Sequence, residues 1–312
     1  MERSKIDFGI INIDKPVGPT SFTVSNFIRR ELNLKKASHL GTLDPKVTGV
    51  LPVALGRACR LSSFFMSHDK TYIGILHTHK EQNIKELQKL INKHFMGKIT
   101  QTPPHKSAVK RAPRIREVYE WELLEVGAMS QTEYSEPCTV NTPHSSGIQC
   151  SVSNLPPSSM GKDFLFTTKV EGGTYIRKLC SDLGEMVGGA HMAELRRTQA
   201  GIFDEKQMYT LPELKEAIEE YNKGKPAKIE SMIIPATEAI KQIMPTIQVQ
   251  EYAIKELRKG IPLREEYLTE QKEYDILADG EVFALLHQNE FIEIAKKELR
   301  EYRIATPLFV YN

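Results

Sequence analysis

His39-Leu40-Gly41-Thr42-Leu43-Asp44-Pro45-Lys46-Val47-Thr48-Gly49-Val50-Leu51-Pro52-Val53 is the stretch from which the rest of the chain is read. It sets a tight turn, Gly41 to Pro45, ahead of an apolar run, Val50 to Leu55, and it holds one carboxylate, Asp44, between a glycine and a proline. An aspartate in such a turn ordinarily bonds its own backbone two residues on, so the turn alone marks Asp44 as structural. Its neighbours decide whether it is more than that.

On the N-terminal side, Phe8 to Ile13 is a short β-prone run and Asp14-Lys15-Pro16-Val17-Gly18-Pro19 is dense in turn formers. Thr20 or Ser21 then caps a helix whose apolar residues Val24, Phe27, Ile28 and Leu32 recur at helical spacing. On the C-terminal side, Thr71 to His77 alternates like a strand, Ile84, Leu87, Ile91 and Phe95 mark an amphipathic helix, and Val118 to Leu124 and Phe164 to Val170 are further strands. Gly172-Gly173-Thr174 leads into a helix carrying Ile176, Leu179, Leu183 and Val187, and Leu214, Ala217, Ile218 and Tyr221 mark another. Residues 127–162 are rich in Ser, Thr, Pro and Gly and lose hydrophobic periodicity, which predicts a long, mobile insertion loop. After Pro245 the chain shifts to short β-prone runs, placing a domain boundary near Ile243. Strands followed by helices, then a β-rich tail, indicate an α+β chain with domains at 1–243 and 244–312.

The bulk composition narrows the function. The chain has 312 residues, 40% apolar and 26% charged, as in ordinary globular proteins. No stretch approaches the roughly 18 apolar residues of a membrane span, and the first residues carry charges of both signs, so no signal peptide is expected. Cys59, Cys138, Cys150 and Cys180 have no CxxC spacing, which argues against a disulfide framework or a Cys-rich zinc site and suits a reducing, cytoplasmic setting. Cys138, His144 and Cys150 match no common zinc pattern, and His77 and His79 share one strand face without a third ligand, so no metal site is expected. The net charge of +2 divides as +7 over residues 1–204, −1 over 205–243 and −4 over 244–312. Six Lys or Arg and no acid lie between Gly97 and Arg116. That asymmetry suggests a polyanionic partner for the first two-thirds of the chain.

Five segments in fixed order carry the functional signal: Asp14-Lys15-Pro16-Val17-Gly18-Pro19-Thr20-Ser21, the Gly41–Pro45 turn, Lys70-Thr71-Tyr72, Gly173-Thr174-Tyr175-Ile176-Arg177, and Leu195-Arg196-Arg197-Thr198-Gln199-Ala200-Gly201. Together they resemble the TruB-type pseudouridine synthases over most of residues 7–204. The stretches 41–53, 103–111 and 189–198 resemble the archaeal dyskerin branch, the catalytic subunits of box H/ACA ribonucleoproteins.

The resemblance implies a catalytic domain on an extended mixed β-sheet followed by a PUA domain, and conversion of uridine to pseudouridine in RNA. The reaction breaks the N1–C1′ bond, turns the base and rejoins it through C5. No redox change occurs and no group is donated, so no cofactor is needed. By resemblance Asp44 is the catalytic carboxylate, Tyr72 stacks on the target base, and Arg177 pairs with Asp44. Leu195 lines the base pocket, and Lys15 and His39 lie near bound RNA. The basic segment, with Lys106, Lys110 and Arg111, contacts the RNA backbone. The resemblance further implies guide RNA, rRNA and tRNA as partners, with proteins of the Nop-ten, Gar-one and ribosomal L-seven-Ae types, in an archaeal cytoplasm. A stand-alone synthase acting on the tRNA T-loop is the nearer alternative; a non-catalytic RNA-binding scaffold is the other.

If the basic run neutralises phosphates, replacing Lys106, Lys110 and Arg111 with Ala flattens the slope of log affinity against log salt by up to about three ions. Fluorescence-anisotropy titration of labelled RNA at several salt concentrations measures this; an unchanged slope returns the run to a solvated face.

Overall fold

The structure, a computed structural model, describes residues 5–103, 112–127, 160–300 and 303–312. Lys106, Lys110, Arg111, Cys138, His144, Cys150 and nearly all of the expected 127–162 insertion lie outside the described residues.

In chain order the elements are strand β1 (Gly9–Lys15), helix α1 (Ser21–Glu31), β2 (Ala37–His39), β3 (Thr48–Leu55), α2 (Ser62–Met66), β4 (Lys70–Asn83), α3 (Ile84–His94), β5 (Gly97–Gln101), β6 (Arg114–Gly127), β7 (Met160–Val170), α4 (Ile176–Val187) and β8 (Ala190–Ala200). There follow β9 (Phe203–Asp204), α5 (Leu211–Asn222), α6 (Ala227–Met232), β10 (Ile233–Pro235), α7 (Ala236–Lys241), β11 (Thr246–Gln248), α8 (Ile254–Leu257), α9 (Gln271–Asp275), β12 (Val282–His287), β13 (Glu290–Arg300) and β14 (Arg303–Val310). The expected strands and helices are all present, several longer than their apolar patterns. β4, for example, runs on past His77 to Asn83. The chain divides into two compact units, residues 1–70 with 197–312, and residues 71–196.

In the first unit β1 lies between β10 and β3, antiparallel to both, and β2 adds to β3. Ile10, Ile11 and Ile13 are fully inaccessible, so both faces of β1 are covered as well as both edges. α1 begins where Thr20 Oγ1 accepts from the Thr23 amide at 3.0 Å, and it buries Val24 and Ile28. The cap is thus Thr20, and the Ser21 hydroxyl is left for another contact. α5 opens on a capping box in which Thr210 and Glu213 satisfy each other's backbone amides.

The tail of this unit forms a four-stranded sheet ordered β11-β12-β13-β14, parallel between β11 and β12 and antiparallel elsewhere. One face packs on Ile247, Leu257, Tyr267, Tyr274 and Leu277. Leu286, Phe291, Ile294 and Phe309 join a second core with Phe8, Ala54 and Leu61 from the start of the chain. There the Phe8 ring stacks on Tyr311 with centroids 4.1 Å apart, and the Arg60 guanidinium lies 4.7 Å from the Phe309 ring centre.

In the second unit the strand order is β8-β4-β7-β6-β5. β4 alternates strictly, with Tyr72, Gly74, Leu76 and Thr78 buried on one face. α3, capped by Asn83, buries Leu87 and Ile91, and Trp121 of β6 meets Phe95 and Phe166 edge-on at 5.6 and 6.1 Å. α4 has no side-chain cap and ends at Gly188, whose φ of +81° closes the last turn.

Glu293 in β13 is fully buried, and neither of its carboxyl oxygens has a hydrogen-bond partner among the described residues. Burial pushes its carboxyl from the ordinary 4.5 up to about 8. The folded chain therefore keeps a proton that the unfolded chain gives up, and stability falls as pH rises from about 4.5 to about 8 and then levels off. Glu293→Gln removes this dependence and stabilises the protein above pH 8 by up to about 5 kcal/mol. Urea unfolding at pH 5 and pH 8.5 checks it; parallel pH profiles for the two proteins disprove it.

Candidate active site

The loop between β2 and β3 carries Asp44, exposed to solvent, on a backbone that is anchored at every turn. Leu40, Leu43 and Val47 are buried and alternate with exposed Thr42, Asp44 and Lys46. Ser21, the first residue of α1, bonds Leu43 twice: its hydroxyl accepts from the Leu43 amide at 2.8 Å and donates to the Leu43 carbonyl at 2.9 Å. The residue next to Asp44 is therefore tied to the start of a helix. The Val47 amide donates to the Asp44 carbonyl at 3.0 Å and closes the turn.

Lys15, expected beside bound RNA, lies instead inside the fold with no exposed surface. Its ammonium donates to the carbonyls of Pro16, Pro45 and Val47 at 2.8, 3.2 and 2.8 Å. An ammonium has three donors, and here all three are used on main chain. Burial holds its pKa below the usual lysine range. Every proton of this amine has a backbone acceptor, one in the turn after β1 and two in the Asp44 loop.

Arg197 at the end of β8 does the same from the other side. It is almost wholly buried; its Nε donates to the Val50 carbonyl at 2.8 Å and its Nη2 to the Gly41 carbonyl at 3.1 Å. Gly41 has φ +128°, which side chains disfavour, and a Cβ there would lie 3.4 Å from Arg197 Nη1. Lys70, at the start of β4, is buried too, and its ammonium donates to the carbonyls of Met66, at 2.9 Å, and His68. Burial, and then the charge of Arg197, push Lys70 down to about 8. Three buried cations thus sit around one short loop, each satisfied by backbone oxygens.

His39, also expected near RNA, ends β2 half-buried, with Nε2 3.2 Å from Thr42 Oγ1 and Nδ1 without a partner among the described residues. Burial and Arg197 lower its pKa, so the ring is neutral at neutral pH.

Tyr72, Leu195 and Arg177 belong to the second unit. Tyr72 is buried in β4, where its carbonyl accepts from Thr167 Oγ1 at 3.2 Å. Leu195 is buried in β8, and its Cδ1 lies 2.8 Å from where a Cβ on Gly74 would sit; Phe166 is equally close. Gly74 is thus required by close packing, not by its backbone angle. Arg177 is the second residue of α4, whose first turn holds no acid. The turn before it is fixed from both ends. Gln101 exchanges two hydrogen bonds with the Tyr175 backbone, at 3.0 and 3.2 Å, and Thr174 Oγ1 donates to the Glu171 carbonyl at 2.8 Å. Ser21, Lys70, Arg197 and Gln101 are the supporting residues that motif reading passed over; the first three lie inside the quoted motifs, and their roles show only in contacts.

Residues 29–176 match the family model for the N-terminal domain of TruB family pseudouridylate synthases, and residues 177–241 match that of the tRNA pseudouridylate synthase B C-terminal domain. A relative from Korarchaeum cryptofilum, named as a probable tRNA pseudouridine synthase B, is 40% identical over 262 residues, 83% of this chain and 70% of its own. The chain belongs to the TruB family of pseudouridine synthases. It is an enzyme of RNA uridine isomerisation. A family member of the same name from Methanocaldococcus jannaschii is 35% identical over 306 residues, 93% of this chain and 80% of its own. Among solved structures, the chain is similar to one described as a Cbf5-Nop10-Gar1 complex, with a TM-score of 0.78 and 31% identity over 100% of this chain and 87% of that one. It is also similar to an H/ACA ribonucleoprotein bound to a substrate RNA containing 2′-deoxyuridine, with a TM-score of 0.77 and 29% identity over 99% and 86%. Among the described residues no helix is long and apolar enough to cross a membrane.

Lys15→Met removes three hydrogen bonds at once and leaves the Pro16, Pro45 and Val47 carbonyls without their donor. The variant is expected to lose about 1–3 kcal/mol of stability and to slow turnover at least tenfold with RNA affinity within about twofold, since the loop and not an RNA contact is disturbed. Single-turnover rates and RNA titration, side by side, measure this; loss of affinity with an unchanged rate would show Lys15 acting on RNA.

Proposed function

We propose that Asp44 is the catalytic carboxylate of this synthase, that Tyr72 stacks on the target uracil, and that Arg177 pairs with Asp44 and directs it. The observation that carries this reading is the loop itself. An exposed carboxylate stands on backbone held by the ammonium of Lys15, the guanidinium of Arg197 and the double bond to Ser21. The reaction needs an ionised carboxylate whether the group attacks as a nucleophile or removes a proton on a glycal route. Strands β4 and β8 support the assignment of the other residues. β4 carries Tyr72 two residues after Lys70, and β8 carries Leu195 two residues before Arg197. A stacking ring and an apolar side chain suit an unpaired base, and a uridine within a helix must leave its stack to be reached. No step in this chemistry calls for a cofactor.

The RNA target is proposed to be chosen by a guide RNA, in an assembly with proteins of the Nop10, Gar1 and ribosomal L-seven-Ae types, in an archaeal cytoplasm. Support comes from the solved structures similar to the whole chain, which are described as a Cbf5-Nop10-Gar1 complex and an H/ACA ribonucleoprotein. The four-stranded tail, residues 246–310, supports a PUA domain over 244–312 that grips one end of the RNA through a small groove; its acidic balance disfavours broad electrostatic binding. The second reading, a stand-alone synthase for the tRNA T-loop, is favoured by the name of the archaeal relatives, probable tRNA pseudouridine synthase B.

Asp44→Asn keeps the size of the side chain and removes its charge. It is expected to abolish pseudouridine formation while binding RNA within about threefold of the unaltered chain, a difference below 1 kcal/mol. The assay offers the purified protein a tRNA and a guided rRNA fragment, each with and without guide RNA and partner proteins. Turnover by Asp44→Asn within tenfold of wild type excludes the assignment, and full activity on tRNA without guide favours the stand-alone reading.

A further inference from the structure

His77 and His79 share the outward face of β4, and the fold brings a third histidine to them: His191, at the start of β8. The ring centroids stand 5.0 Å apart for His77 and His191, 5.6 Å for His79 and His191, and 6.3 Å for His77 and His79. With metal–nitrogen bonds of about 2 Å, three imidazoles on one tetrahedral ion have centroids roughly 5 Å apart. Two of these spacings are close to that value and the third is about an ångström wide.

One of the three rings has the outer contact that metal-binding histidines receive. His77 Nδ1 lies 2.8 Å from Asp163 Oδ1 of β7, which orients the ring and leaves Nε2 for another partner. A carboxylate on the second ring nitrogen is the usual outer contact of a ligating histidine. Asp163 is well buried and His77 about a third exposed, so the pair is anchored at one end and open at the other. Gly189 makes room for His79: a Cβ there would fall 2.2 Å from His79 Nδ1. The backbone amide of His79 donates to the Gly189 carbonyl at 2.9 Å, fixing the ring's origin. Neither His79 nor His191 makes a side-chain hydrogen bond among the described residues, and both lie on exposed positions of their strands. The donor atoms are not gathered on one point in these orientations. Closure requires rotation of the His79 and His191 side chains, which their exposure leaves open.

We propose that His77, His79 and His191 form a binding site for one borderline divalent cation of the zinc, cobalt or nickel type, with Asp163 orienting His77 and a water in the fourth position. Imidazole ligands select this group of ions over magnesium or calcium, which take oxygen. Because β4 and β8 each supply ligands, the ion cross-links them and stabilises the folded chain in proportion to its occupancy.

The test uses the untagged full-length protein, freed of metal with a chelator and titrated with Co2+ and Zn2+. Calorimetry is expected to give one ion per chain, Co2+ to show the visible absorption of a four-coordinate site, and Zn2+ to raise the unfolding temperature. His191→Ala and His79→Ala should each weaken binding at least tenfold and abolish the thermal shift, and Asp163→Asn should weaken it about tenfold through His77. His191→Gln keeps a polar side chain of similar reach, so the same loss in that variant separates ligation from packing. Unfolding temperatures of the metal-free variants matching the metal-free wild type show that the loss is not misfolding. Binding of equal affinity and stoichiometry by the histidine variants, or no thermal shift in the wild type, overturns the proposal.

Discussion

The loop that presents Asp44 depends on cations donating to backbone carbonyls. Residues 40–47 are too short and too irregular to satisfy their own carbonyls, and a buried carbonyl without a partner costs on the order of 1–3 kcal/mol. Lys15 takes two such groups, Pro45 and Val47, Arg197 takes Gly41, and Ser21 closes both polar groups of Leu43. Charged donors make stronger bonds than neutral ones, and several from one side chain fix a geometry that single bonds would not. Burying the charges has a cost that hydrophobic side chains of the same volume would avoid. What the charges bring is a set of fixed contacts on the backbone that carries Asp44.

The same cations tie the loop to the sheet. Arg197 lies in β8 and Lys70 opens β4, and within the first unit both approach the loop at Gly41. Gly41 serves by its positive φ and by the room it leaves for Arg197, and Gly74 by its lack of a side chain beside Leu195 and Phe166. These glycines have different reasons, one torsional and one steric, that a reading of glycine as a turn former merges.

The tail is joined to the beginning of the chain by aromatic stacking. Phe8 on Tyr311 and the shared core around Phe291 and Phe309 make residues 244–312 and the first strand one packing unit, while a separate core inside the tail holds its own strands and short helices together.

Much was legible in the sequence because periodicity and turn chemistry are local. The strand alternation after Lys70, the helices at Ile84 and Ile176, the turn around Asp44 and the β-rich tail follow from residue spacing, and five motifs in order named the family. Other things needed the third dimension. Lys15 reads as an RNA contact in a motif, yet its ammonium ends inside the loop, because acceptors thirty residues further along the chain fold back onto it. Arg197 and Ser21 stand in quoted motifs with nothing to separate them from their neighbours, since a hydrogen bond spanning 147 or 22 residues leaves no mark on local spacing. His77 and His79 lacked a third partner in sequence, and His191 reaches them only because β8 lies beside β4. The sequence by itself determined which elements form and which chemistry they carry; the tertiary structure decided which side chains support that chemistry, because support is a matter of distances between segments far apart in the chain.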